Sequence, residues 1–343
     1  MNRKKFIHSG LLLAAPMLFP VKNLEKNTFS NSFLMTVNGP ISLDKAGLTL
    51  PHEHVLVDFI GADKVNVNRY NRDDVFETAL PYLKQAKTLG CHTLVECTPA
   101  WLGRDVRLLQ KLAIASNLHI ITNTGYYGAS QEKYLPSNTY TDSAEKLASY
   151  WTGEWEDGID GTDIKPGFIK SGVDSHPLTK TQRKLIEAAA LTHLNTGLTI
   201  GIHTGSGKAA LEEMNIIKSM GVRPSAWIWI HAQNESNRST HLQVAEAGGW
   251  VSFDGLTAQS VGIYTQFLKD MKAHQLLNKA LISHDAGWYH VGEPKGGNFR
   301  PYDTVFKILI PILRKEGFSK EDIDLLFHSN PINALAIADR KKI

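Results

Sequence analysis

A chain of 343 residues with 42% apolar content can bury one large core and can hold one to three domains. Its formal charge of +3, from 37 basic and 34 acidic residues spread along the chain, leaves no basic stripe of the kind that nucleic-acid binding needs. After the first residues no segment offers ~20 uninterrupted apolar positions, which excludes a transmembrane anchor in the mature chain.

In chain order, Arg3-Lys4-Lys5 comes first, then an apolar run over 11–19 and a polar stretch over 22–32. Charge, apolar run and spacer in that order predict an export signal and spacer over 1–30, hence a periplasmic or secreted protein. Arg3-Lys4-Lys5-Phe6-Ile7 is similar to a twin-arginine signal with one arginine replaced by lysine. One domain is expected over 33–343. Its entry, 33–37 and 41–43 around Asn38-Gly39-Pro40, reads as a short β-hairpin, a lid before the main fold.

Strand-like and helix-like segments then alternate. Eight apolar segments, at 49–54, 93–98, 119–124, 167–171, 198–204, 226–232, 250–254 and 280–285, read as strands. Segments such as 73–89, 104–115, 180–194 and 209–220 carry helical periodicity, and Gly90, Gly197, Gly221 and Gly248 follow as C-caps. Eight such units predict an α/β fold, a (β/α)8 TIM barrel. The irregular insertion 127–166 is expected to add a helix and surface loops. Cys91 and Cys97, roughly 20 Å apart along one strand, are out of disulfide reach and read as buried small hydrophobes.

Barrels carry their chemistry at the C-terminal ends of the strands. There this sequence places His52 and His54, which share one face of the first strand because side chains alternate, with Glu53 facing away. Lys170 lies on strand four, His203 and His231 end strands five and six, and Asp285 ends strand eight. Four imidazoles and a carboxylate converging make a metal site. A buried lysine on an apolar strand has a depressed pKa and becomes nucleophilic. His8, His92, His119, His193, His241, His274 and His328 lie away from the strand ends, and His284 is expected to pack on the opposite face.

With Gly47-Leu48-Thr49-Leu50-Pro51-His52-Glu53-His54, Gly103-Arg104-Asp105, Ile169-Lys170-Ser171-Gly172, His203-Thr204, Ile230-His231, Ser283-His284-Asp285 and Asn330-Pro331 in this order, the chain resembles the phosphotriesterase family of the amidohydrolase superfamily. The resemblance implies two divalent ions per chain, zinc by ligand chemistry. His52, His54 and Asp285 hold the buried ion, His203 and His231 the exposed one, and N6-carboxylated Lys170 bridges them. It further implies that a bridging hydroxide attacks a lactone, ester or phosphotriester, with Asp285 shuttling the proton. Tyr127, Trp288 and Arg300 are expected in the substrate pocket, the last two on the loop after strand eight. Phe253-Asp254-Gly255-Leu256 lacks the arginine that follows this aspartate in the acyl-homoserine lactonase branch, which argues against quorum-sensing lactones. Dimerisation is common among similar proteins, so a homodimer is compatible with the resemblance. The competing readings are a one-metal amidohydrolase such as a deaminase, which has no use for Lys170, and a barrel that binds without turnover.

Overall fold

The computed structural model describes residues 32–337, and the export signal expected over 1–30 lies outside the described residues. The hairpin is β1 (Phe33–Thr36) with β2 (Gly39–Ser42), paired so that Leu34 faces Ile41. It is a floor, not a lid. The Met35 carbonyl abuts Gly167 at the start of the fourth barrel strand, Val37 N–H donates to the Ile120 carbonyl, and Phe33 bridges to Ile337. Apolar Leu34 seals the end where the strands begin, opposite the end expected to carry the chemistry.

The barrel starts with β3 (Leu48–Glu53), from which β4 (Leu56–Val57) branches. It continues through β5 (Cys91–Glu96), β6 (His119–Ile121) with β7 (Asn123–Thr124), and β8 (Phe168–Val173). It ends with β9 (Thr199–Thr204), β10 (Trp227–Ile230), β11 (Trp250–Phe253) and β12 (Ala280–Ile282). The third strand is two pieces separated by Thr122, whose carbonyl accepts from Gly167 N–H. Pairing is parallel in the order β3-β5-β6 and β7 through β12. The ring closes where Asp285 N–H donates to the His52 carbonyl at 3.1 Å and His54 N–H to the Ala286 carbonyl at 2.8 Å.

Both faces of these strands are buried, which is why they read as continuous apolar runs. Val95, Ile121, Phe168, Ile228 and Leu281 fill the inside, while Leu50, Leu94, Ile169, Ile200 and Trp229 face the helices. Those helices are α1 (Arg72–Thr88), α2 (Val106–Ser116), α3 (Asn138–Thr141), α4 (Ala144–Asp157), α5 (Lys180–Thr196), α6 (Gly207–Ser219), α7 (Arg238–Glu246) and α8 (Val261–Ala273). After a short β13 (Tyr289–His290) paired with β4, α9 (Ile310–Lys315), α10 (Lys320–Asp324) and α11 (Asn330–Leu335) complete the chain. The insertion supplies α3 and α4, with Trp151 buried against the barrel.

Two of the quoted motifs turn out to be architectural. Asp105 caps α2 through Leu108 N–H, and Asn330 donates to the Leu277 and Ala280 carbonyls at the root of strand eight. Both cysteines are buried and free. Among the described residues no helix is long and apolar enough to cross a membrane.

Candidate metal centre

β3 delivers His52 and His54 to one face, with their Nε2 atoms 3.3 Å apart. β12 stops at Ile282, and the chain then turns so that Asp285 sits at φ 51, a left-handed conformation that aspartate tolerates better than most residues. The turn needs Gly287, where a Cβ would fall 1.8 Å from the His54 carbonyl. This bend brings Asp285 Oδ1 to 3.1 Å from His54 Nε2 and 3.6 Å from His52 Nε2. The oxygen is buried, yet no aligned hydrogen bond reaches it.

His203 on β9 and His231 after β10 meet edge to face, with ring centroids 4.4 Å apart, and His231 lies 5.1 Å from His52. His231 also has a left-handed backbone, at φ 65. Lys170 is fully buried on β8, and among the described residues its Nζ contacts the Ser171 carbonyl at 3.4 Å and the face of the Tyr127 ring at 5.1 Å. Gly125 makes room for that strand, since a Cβ there would lie 2.3 Å from the Lys170 carbonyl. All six expected ligands line one cavity of about 90 Å³, together with Tyr127, Trp288, Phe59 and Leu102.

Burial shapes the charges. It lowers the basicity of the Lys170 amine, of His54 and of His203, the last pushed further down by neighbouring His231. Against the upward push of burial, the imidazoles around Asp285 hold its carboxyl below the usual carboxylate range.

Of the three pocket residues expected, two line the cavity. Tyr127 packs 5.1 Å from His203, and Trp288 lies 4.1 Å over the His54 ring while its Nε1 donates to the Asp285 carbonyl. Arg300 is placed differently. Its guanidinium donates to the Asp285 and His284 carbonyls and is absent from the cavity's lining, because the bend after strand eight leaves those carbonyls in need of donors. His284 faces away as expected, and pairs with buried Glu53 at 2.6 Å.

One residue has a role that the sequence reading did not assign it. Asp254, fully buried after β11, takes His231 Nδ1 at 2.6 Å on Oδ1 and His52 Nδ1 at 3.1 Å on Oδ2. A larger cavity, about 210 Å³, lies next door and is lined by Tyr70, Trp101, Arg104, Tyr126 and Glu154. Consecutive residues alternate between the two spaces: Pro99, Leu102 and Tyr127 line the small one, and Ala100, Trp101, Gly103 and Tyr126 the large one. The smaller cavity is the candidate active site because the donors converge there, whatever its size.

The profile of the phosphotriesterase family matches residues 32–335. The chain belongs to the phosphotriesterase family. A phosphotriesterase homology protein of Escherichia coli is 30% identical over 85% of this chain and 98% of its own length. An aryldialkylphosphatase of Saccharolobus solfataricus is 28% identical over 83% and 93%. A phospho-furanose lactonase of Mycoplasmopsis synoviae is 27% identical over 91% and 94%. A mutant organophosphorus hydrolase of Deinococcus radiodurans, 22% identical, superposes with a TM-score of 0.77 over 88% of this chain and 97% of its own. The chain is accordingly an ester-hydrolysing enzyme on a TIM-barrel scaffold.

Among the described residues, two trios bring ligand atoms within 4.8 Å of one another: His52, His54 and Asp285, and His52, His231 and Asp254. The first fits a divalent cation, since Asp285 Oδ1 is buried beside two imidazole nitrogens and no aligned hydrogen bond satisfies it. The second is satisfied internally: Asp254 accepts from Ser252 Oγ, His231 N–H and both rings. His203 and His231 form a pair that lacks a third donor, the place the resemblance gives to a carboxylated Lys170.

Proposed function

We propose that this family member is a binuclear metal hydrolase of lactones or other carboxylic esters, with phosphotriester hydrolysis as a second activity of the same centre. The observation that carries the reading is the buried, unsatisfied Oδ1 of Asp285, lining a cavity that four histidines and the buried Lys170 also line. In this reading His52, His54 and Asp285 hold one ion, His203 and His231 hold the other, and N6-carboxylated Lys170 bridges them. Zinc suits such imidazole-rich donors. When bound, the ions polarise the substrate carbonyl or phosphoryl oxygen and acidify the attacking water.

The chain's own groups do the rest. Asp285 accepts the proton that the water loses and returns it to the alkoxide oxygen released when a lactone ring opens. Phe59, Leu102, Tyr127 and Trp288 wall the cavity and exclude bulk water around the substrate. The lactonase and aryldialkylphosphatase among the relatives support an electrophile of this kind, a carboxylic or phosphoric ester.

The test is proton release by the zinc-loaded protein with γ- and δ-lactones and a phosphotriester, alongside metal analysis. Two ions per chain and lactone turnover that disappears in Lys170→Ala are expected. Silence on every lactone with the ions bound overturns the lactone assignment, and one ion per chain favours the single-metal amidohydrolase. Export directed by residues 1–30 belongs to the same reading, and fractionation of producing cells checks it.

A further inference from the structure

The carboxylate of Asp254 has two oxygens and serves two imidazoles, one on each. Oδ2 faces His52 Nδ1 at 3.1 Å and is held by Ser252 Oγ at 2.7 Å. Oδ1 faces His231 Nδ1 at 2.6 Å and is held by His231 N–H at 3.2 Å and by Gln233 Nε2 at 3.3 Å. A carboxylate ringed by donors can only accept, so both Nδ1 atoms must carry hydrogen. Both lone pairs are thereby placed on Nε2, and on His52 that nitrogen is the one beside His54 and Asp285. His231 stands instead with His203. A single buried anion thus orients one ligand from each of the two groups.

We propose that Asp254 is a positioning residue that couples the two ion positions, because it sets the tautomer and orientation of one histidine at each. This rests on the two-ion reading given above. Filling one position pins its imidazole, which pins the shared carboxylate and so prepares the other imidazole. An amide cannot replace the carboxylate. Asparagine offers one acceptor and one donor, so one of the two rings would have to turn its Nδ1 into an acceptor. That moves its hydrogen to Nε2 and closes the lone pair the ion needs. A single Asp254→Asn substitution should therefore disable one position outright, whereas Asp254→Ala should loosen both.

The experiment uses the full chain. Imidazole ¹⁵N resonances of the metal-free protein report the tautomers, and zinc titration reports stoichiometry and affinity. The wild type should show hydrogen on Nδ1 of both His52 and His231. Asp254→Asn should flip one of them and bind about one zinc fewer, and Asp254→Ala should weaken both sites ~10–100-fold. Unchanged tautomers and affinities in a folded Asp254→Asn protein would overturn the proposal. If the Asp254 variants do not fold, Ser252→Ala removes only the bond to Oδ2. It should then shift the His52 resonances and weaken zinc severalfold, and no change in either is equally fatal. A wild-type chain that binds a single zinc overturns the two-ion reading, and the coupling with it, whichever tautomers are seen.

Discussion

The main-chain N–H of Asp285 donates to the main-chain carbonyl of His52 at 3.1 Å, so the contact that closes the barrel also sets two donors of the candidate centre side by side. The site is therefore as rigid as the seam. Asparagine tolerates the left-handed backbone that Asp285 adopts, so Asp285→Asn should fold normally. It should still lose ~10²–10⁴-fold in kcat, the range for removing a general acid and base, and hold metal less tightly. Steady-state kinetics beside metal content after dialysis checks this.

Glu53 holds the same seam from outside. Its Oε1 accepts from Ser283 Oγ, His284 N–H and His284 Nδ1, and its Oε2 from Ala286 N–H. Glu53→Gln turns one acceptor into a donor among donors, at a fully buried position. Unfolding of the metal-free protein should show a loss of ~2–4 kcal/mol, and activity should fall with it because the Asp285 turn loses its anchor.

Lys170 makes a prediction about carbon dioxide. A buried amine whose contacts are a 3.4 Å carbonyl and an aromatic face has every reason to be neutral. Reconstitution with metal and ¹³C-bicarbonate should give a carbamate resonance, and reconstitution in carbonate-free buffer should be slow. Lys170→Arg, always charged, should show neither the resonance nor full metal loading.

The parts that could be read in advance were those with a local cause. Alternation along one strand put His52 and His54 on a shared face, and double-sided burial made eight strands visible as apolar runs. Strand eight is shorter than its apolar run to 285: the regular strand ends at Ile282, and a left-handed turn carries Asp285 inward while single bonds to the neighbouring strands continue. Arg300 lies on the loop after strand eight, as the pocket reading requires, and its guanidinium is engaged by the Asp285 and His284 carbonyls, the former shared with Trp288 Nε1. Asp254 was marked only by the arginine missing after it, with no sign of its bonds to two histidines. Its imidazole partners are 23 and 202 positions away: strand pairing brings up His231, and only ring closure brings up His52.

Glu96 gives a pH signature. Burial pushes its carboxyl from 4.5 up to about 7, despite bonds from Val55 and Thr98 N–H. The folded state therefore binds this proton more tightly than the unfolded chain does. Its contribution to stability is full below about pH 4.5 and is lost as pH rises toward 7, a swing of about 3 kcal/mol at most. Glu96→Gln carries a fixed cost from its misplaced amide, which cancels in a comparison across pH. Denaturation of metal-free wild type and variant at pH 5 and pH 8 should show the variant losing less stability between the two.

The partition between the two cavities has a further meaning. Leu102 lines the inner space while Trp101 and Gly103 line the outer, and Tyr127 and Tyr126 divide in the same way. A substitution on the outer side shifts backbone that the inner side shares, so the shape seen by a substrate can be revised without touching any residue that meets it. Variation along 99–104 and 126–127 thus has a route to new substrates that leaves the candidate metal donors alone.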